Sequence, residues 1–450
     1  MIKFLSQFLQ REQKYSKVGK ELFLLAIPII GSYLLHTAYN LTDMIWVGTM
    51  GSNAVAAVGS AGFFLHLGWA MASIITVGAN IKIAHAVGAK DSKLAGRFAT
   101  SGLWGIALIA AIFSAIFWVF PEQFIGFFQM KSPEVNQMAI SYLVISTFGV
   151  VISYINLLFI SIFNAHSKTK ISFKASLIGA LVNITLDPLL IIVFSLGVEG
   201  AAYATIIARS CSLVFFFFAY KKSEAINFRG FLPNIQKLKN VFAVGTPAAI
   251  QRVSFSVIYI FLARIIAEWG PNAIAVQKIG VQIESITFMI VGGFMQAVTI
   301  MVGQSYGAKN ITEVPRIYRA GLRMSLTVGF ITTILFLVIP QTLFSIFVPE
   351  AESIQMGKEY LMILAVSQLF MCLEMISAGV FNGLGKTKIP ATVSVIFTSL
   401  RLPGAYILGF YTFLSLNGVW WSITGSSILK GVMLFFLLRS YFKNNTFGKF

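Results

Sequence analysis

The chain has 450 residues, 57% of them hydrophobic and only 11% charged, where soluble domains carry about 25% charged residues. A water-soluble fold of this size cannot hide so much apolar surface, so the composition excludes a soluble globular domain and makes lipid the solvent. The net charge of +18 would suit nucleic acid in a soluble protein, but here the cations cluster between apolar runs, so no nucleic-acid partner is expected.

Residues 1–20 are basic, with Ile2, Phe4, Leu5, Phe8 and Leu9 interleaved among polar residues. That pattern reads as an interfacial helix rather than a cleaved signal peptide. Apolar runs then follow near 21–48, 53–81, 98–120, 135–163, 172–195 and 198–220. A second set lies near 239–267, 273–303, 318–340, 353–382, 389–413 and 418–438. Runs of about 20 residues or more are helical spans, and they exclude the alternating ten-residue strands of a β-barrel. The expected fold is an all-α membrane protein of twelve transmembrane helices.

Cations mark every second loop. Lys17 and Lys20 precede span 1, Lys90, Lys93 and Arg97 follow span 2, and Lys168, Lys170 and Lys174 follow span 4. Lys221, Lys222 and Arg229 follow span 6, Arg316, Arg319 and Arg323 span 8, and Lys386 and Lys388 span 10. The opposite loops hold Lys131 and otherwise acids. By the positive-inside rule both termini are cytoplasmic, and one missed helix would break the alternation.

The halves repeat. Pro28 pairs with Pro247, Asn53-Ala54 with Asn272-Ala273, Gly88-Ala89-Lys90 with Gly307-Ala308-Lys309, and Pro121 with Pro340, all at an offset of 219. Phe163-Asn164 matches Phe381-Asn382 at 218, and Gly197-Val198 matches Gly418-Val419 at 221. Six spans per half return the chain to the same side, so two six-helix lobes are related by a pseudo-two-fold along the membrane normal. The expected organisation is an interfacial segment 1–20, an N-lobe 21–220, a cytoplasmic linker 221–238, a C-lobe 239–438 and a cytoplasmic tail 439–450.

Enzyme chemistry finds no footing. Cys211 and Cys372 both lie inside apolar runs, the four histidines are scattered, and neither a P-loop nor a Gly-Xaa-Ser-Xaa-Gly turn is present. No cofactor is implied.

A charge at membrane depth costs roughly 2.5 kcal/mol or more, so each needs a reason. In the first half the acids are Asp43 in span 1 and Asp187 in span 5, with Thr205 early in span 6. At about 1.5 Å per residue all three fall in the outer half of the membrane. Asn183 and Asp187 share a helix face, and His36, Asn40 and Asp43 form a polar stripe on span 1. Asn156 and Tyr154 in span 4 face the same lobe interior. Burial and mutual repulsion disfavour two bare carboxylates, so one can hold a proton. Alternatively, carboxylate, amide and hydroxyl oxygens ring a Na⁺, or the groups form only a helix-to-helix network. Pro28 removes a backbone hydrogen bond and makes span 1 a candidate hinge.

The second half differs. Asp43 maps to Leu262 at offset 219, so the acid is not duplicated. Glu284, Glu374, Arg401 and Lys430 instead form a charged C-lobe cluster, with Arg252 near midplane. The excess of cations points to an anionic or zwitterionic substrate group. The plainer reading pairs Glu284 with Arg401 or Lys430.

Gly303-Gln304-Ser305-Tyr306-Gly307-Ala308, Gln282-Ile283-Glu284, Asn183 to Asp187-Pro188, and Gly197-Val198-Glu199-Gly200-Ala201-Ala202 together carry a family resemblance. Over residues 20 to 440 the chain resembles the multidrug and toxic compound extrusion (MATE) transporters, closest to the DinF-like bacterial and archaeal branch. The resemblance implies H⁺- or Na⁺-coupled antiport that exports small organic compounds, by a monomer in the bacterial cytoplasmic membrane. It places the cation site at Asp43, Asn183, Asp187 and Thr205, with Tyr39 in the same lobe. A lipid-linked oligosaccharide or lipid flippase of the same superfamily is the alternative.

Overall fold

The computed structural model describes residues 2–130, 132–222 and 233–444, and of residues 2–16 only the backbone. Lys131, Arg229, most of the linker and the end of the tail lie outside the described residues, as do the side chains of the N-terminal segment. Among the described residues the chain is helical throughout, in the order that the apolar runs predict. The helices are α1 (Ile2–Gly48), α2 (Ser52–Gly88), α3 (Ser92–Val119), α4 (Pro121–Gly126), α5 (Pro133–Ala165), α6 (Thr169–Pro188) and α7 (Gly197–Lys221). The second half supplies α8 (Ile235–Ile266), α9 (Pro271–Gly307), α10 (Val314–Val338), α11 (Pro340–Ser345), α12 (Ala351–Ala365), α13 (Gln368–Gly383), α14 (Lys388–Ser399), α15 (Arg401–Phe410) and α16 (Leu416–Asn444).

Among the described residues eleven helices are long and apolar enough to cross a membrane, and α12 with α13, bent by 50° at their junction, bring the number to twelve when the pair is taken as one broken span. No proline lies at that junction, so the bend leaves no mark in the pattern of apolar residues. Two other irregularities lie beside prolines. Pro188 is succeeded by a wider π-type turn over Leu189–Val193, and the break between α14 and α15 precedes Pro403, which cannot donate to the carbonyl four residues back. The starts of helices are equally readable. Asp91 caps α3 by accepting from the Leu94 N–H at 2.8 Å, and prolines open α4, α5, α9 and α11.

The repeat is written in the backbone as well as in the residues. Gly51 and Gly270 precede α2 and α9 at φ of 100° and 93°, a conformation that favours glycine. Lys90 and Lys309 follow the same two helices at φ of 56° and 59°. One interior cross-link also recurs. Asn80 Nδ2 donates to the Ser161 carbonyl at 2.9 Å, and at the matching place Thr299 Oγ1 donates to the Gly379 carbonyl at 3.1 Å.

The chain forms two compact units. The N-unit is Ile27–Ala249, and the C-unit is the chain up to Ala26 together with Ile250 onward. The division therefore falls beside Pro28 and Pro247, inside the first span of each repeat, rather than at the linker. Within the N-unit, the start of α8 packs on α2 where Gly78 meets the Val241 carbonyl and Gly245 meets the Ile74 carbonyl. A side chain at either glycine would collide with backbone. Lipid offers no hydrophobic drive between helices, so such close approaches and interior hydrogen bonds hold each unit together. The N-unit core adds a ring cluster of Phe64, Phe113, Phe117 and Phe124. The C-unit core is centred on Tyr360 and Trp420, whose rings meet edge to face at 5.3 Å. Leu108, Ile112, Phe148, Phe330 and Leu337 are exposed on the surfaces of the spans, as lipid-facing residues are.

Candidate functional site

In the N-unit, α6 carries Asn183 and Asp187 one turn apart, both fully buried. Asn183 Nδ2 donates to Asp187 Oδ1 at 3.0 Å. Pro188 ends the regular helix immediately after the acid, and π-type turns of the kind that follows are frequent at functional sites. Asp43 on α1 lies within electrostatic reach of Asp187. Three oxygens here, Asp43 Oδ1, Asn183 Oδ1 and Asp187 Oδ2, are buried and accept no hydrogen bond among the described residues. An orphaned buried acceptor costs about 1–3 kcal/mol, and three of them together, with no donor, suit a proton or a hard cation. Among the described residues no three His, Cys, Asp or Glu side chains gather as metal ligands, so any ion held here would rest on two carboxylates and neutral oxygens. Thr205 on α7 is half-buried and makes no hydrogen bond to either acid among the described residues.

The rest of the predicted polar group divides in two. On α1, Asn40 Nδ2 pairs with His36 Nδ1 at 3.0 Å, and the His36 ring lies 4.6 Å from Trp69 and 5.5 Å from Tyr39. Asn156, by contrast, is buried and works as a pin. Its Nδ2 donates to the Ile152 carbonyl and, at 2.9 Å, to the Arg209 carbonyl, tying α5 to α7. Pro28 lies within α1, which runs through it as one helix.

The C-unit cluster is assembled from α9, α13, α15 and α16. Its pairing differs from the simple expectation. Glu284 bridges neither Arg401 nor Lys430; its Oε1 accepts from Gln368 Nε2 at 3.0 Å. Lys430 instead pairs with Glu374 at 3.0 Å, because α13 and α16 pack side by side and bring those two together. Arg401 Nε donates to Ser426 Oγ at 2.6 Å and Arg401 Nη2 to Ser427 Oγ at 3.0 Å. Its guanidinium lies 5.8 Å from the centre of the Phe255 ring. Arg252 is exposed and outside this group.

The MatE family model matches residues 28–189 and, a second time, residues 247–407. The chain belongs to the MATE family of membrane transporters. The two matches begin at Pro28 and Pro247, so the repeat seen in the residues is the family unit itself. NorM of Thermotoga maritima, described as a "probable multidrug resistance protein", is 26% identical over 435 residues, covering 95% of this MATE chain and 94% of the relative. YoeA of Bacillus subtilis, described in the same words, is 26% identical over 425 residues and covers 91% of each chain. A solved structure of a multidrug resistance MATE family transporter in an outward-facing conformation matches with a TM-score of 0.88 and 25% identity, over 96% of this chain and 97% of that one.

Two residues of the N-unit site escaped the reading of the sequence. Tyr142 on α5 is buried within electrostatic reach of Asp43, Asp187 and Tyr39. A tyrosine near the end of a span carries no special signal, since interfacial tyrosines are common. Arg209 on α7 places its guanidinium 5.2 Å from the centre of the Tyr39 ring and within electrostatic reach of His36. That residue did carry a signal: it is a cation inside an apolar span, one turn after Thr205.

Proposed function

We propose that this MATE transporter exports small organic compounds in exchange for a cation, H⁺ or Na⁺, that binds at Asp43, Asn183 and Asp187 in the N-unit. The observation that carries this reading is the set of three buried, donor-less oxygens contributed by two helices. A proton or a sodium ion removes one negative charge from the pair of acids and with it most of their mutual repulsion, and release of that ion restores it. The site therefore has two states that differ by one charge, which is what coupling requires. Asn183 orients Asp187, Tyr142 lines the carboxylates, and Thr205 supplies a hydroxyl to the ion. Pro28 lets α1, which carries Asp43, bend as the charge changes.

The export of drug-like organic compounds is supported by the relatives' names. An anionic or zwitterionic substrate group fits the buried cations of the C-unit. The alternation of cations between loops supports both termini on the cytoplasmic side, and the bacterial relatives support the bacterial cytoplasmic membrane as its place. Proteoliposomes with an imposed pH or Na⁺ gradient test the reading. Efflux of a fluorescent organic cation and a fluorescent organic anion should follow one of the two gradients in the wild type and lose that dependence in Asp43→Asn and Asp187→Asn. Unchanged gradient-driven efflux in both variants would sink the proposal.

A further inference from the structure

The repeat permits a residue-by-residue comparison of the two units at one place. At the offset of 218 that pairs Phe163-Asn164 with Phe381-Asn382, Asn183 corresponds to Arg401 and Asp187 to Ala405. At the offset of 221 that pairs Gly197-Val198 with Gly418-Val419, Thr205 corresponds to Ser426. Asp43 corresponds to Leu262 at 219, and Tyr142 to Tyr360 at 218. Leu262 and Ala405 are buried and apolar. Both acids of the N-unit site are thus gone, and a guanidinium occupies the counterpart of the amide that orients Asp187. Where the N-unit gathers oxygens for a mobile cation, the C-unit holds a tethered one.

We propose that Arg401, held by Ser426 and Ser427, is the receptor for a carboxylate or similar oxyanion on the transported compound. This rests on the reading of the chain as an exporter of organic compounds. A guanidinium presents five N–H donors in a fixed fork, and here two of them go to neutral hydroxyls. No carboxylate is in contact with it among the described residues, because Glu374 is taken by Lys430 and Glu284 by Gln368. Glu374 and Glu284 act on this cation only at a distance, so its fork keeps donors with no charged partner in contact, and an oxyanion from outside completes it with paired, charge-assisted hydrogen bonds. Access is short. Ser427 is part-exposed, and the ring over the guanidinium, Phe255, is 46% exposed on the unit's surface. That ring also offers an apolar face to the body of an aromatic compound. Glu284, within electrostatic reach of both Arg401 and Lys430, is the internal competitor of the incoming anion. Glu374, Lys430, Tyr259 and Tyr360 are the other ionisable groups around it.

Three probes of one shape test the proposal: 1-naphthoate, 1-naphthamide and 1-naphthylmethylammonium. Their binding to the full chain in nanodiscs, with no ion gradient, is measured by titration calorimetry. The wild type should prefer the carboxylate over the amide by about tenfold or more, the strength of a charge-assisted bidentate contact. Arg401→Gln should erase that preference, Arg401→Lys should retain only part of it, and Glu284→Gln should raise naphthoate affinity several-fold while leaving naphthamide unchanged. A wild type without the preference overturns the proposal, as does a preference that survives in Arg401→Gln. If Arg401→Gln does not fold, Glu284→Gln decides: an unchanged naphthoate-to-naphthamide ratio overturns it. Because no gradient is applied, these outcomes are independent of the coupling experiment on Asp43 and Asp187.

Discussion

The N-unit and the C-unit share a scaffold and differ in charge. Both carry the same left-handed turn residues around their second span, the same short helix after the third, and the same helix-to-carbonyl cross-link at Asn80 and Thr299. Yet the N-unit buries acids and neutral oxygens where the C-unit buries Arg401, Ser426 and an ion pair. The link between the fourth and sixth spans shows the divergence in one step. Asn156 holds the Arg209 carbonyl in the N-unit, and its counterparts Glu374 and Lys430, at offsets 218 and 221, form a salt bridge in the C-unit. Duplication preserved the contact and changed its chemistry. On the proposed reading, the repeat supplies two sites of opposite polarity, one for the ion that drives the transporter and one for the compound it carries.

The comparison can be broken at either site. The largest expected effect is in the N-unit: Asp187→Asn should lower gradient-driven efflux by at least about tenfold, the usual scale of a lost coupling energy. Asn183→Arg sharpens the contrast by installing in the N-unit the cation that the C-unit already holds. The variant should fold, since Asp187 is there to pair with it, and should transport without any gradient dependence, as measured by efflux and by elution as a monodisperse species. In the C-unit, Lys430→Met should cost about 3–5 kcal/mol in unfolding measurements, because the largely covered Glu374 is left unpaired, and the double variant Glu374→Gln with Lys430→Met should recover most of it. The smallest effect belongs to the shared scaffold. Thr299→Val should cost only about 0.6 kcal/mol, the average value of an interhelical hydrogen bond in a membrane protein.

Much of this was legible in the residues alone. Twelve spans could be read because lipid demands long apolar runs, and the alternation of cations checked the count. Asp43, Asn183 and Asp187 could be read because a polar group in an apolar helix is rare and these stand at helical spacing. Tyr142 could not, since its role depends on which face of α5 meets α1 and α6. The 50° bend between α12 and α13 could not either, as no proline or glycine pair announces it. The partners of Glu284 and Lys430 differ from the expected pairing for a related reason. Depth in the membrane follows from position in a span, but rotation about the helix axis follows only from packing, and that rotation gave Lys430 to Glu374 and Glu284 to Gln368.

The most direct test of the division of labour between the units is ion-driven efflux compared across Asp43→Asn and Glu284→Gln in the same proteoliposomes. The ratio of efflux with a gradient to efflux without one should collapse to unity in Asp43→Asn and stay at the wild-type value in Glu284→Gln, whatever happens to substrate affinity. A ratio that survives in Asp43→Asn, or one that collapses in Glu284→Gln, would contradict the assignment of coupling to the N-unit.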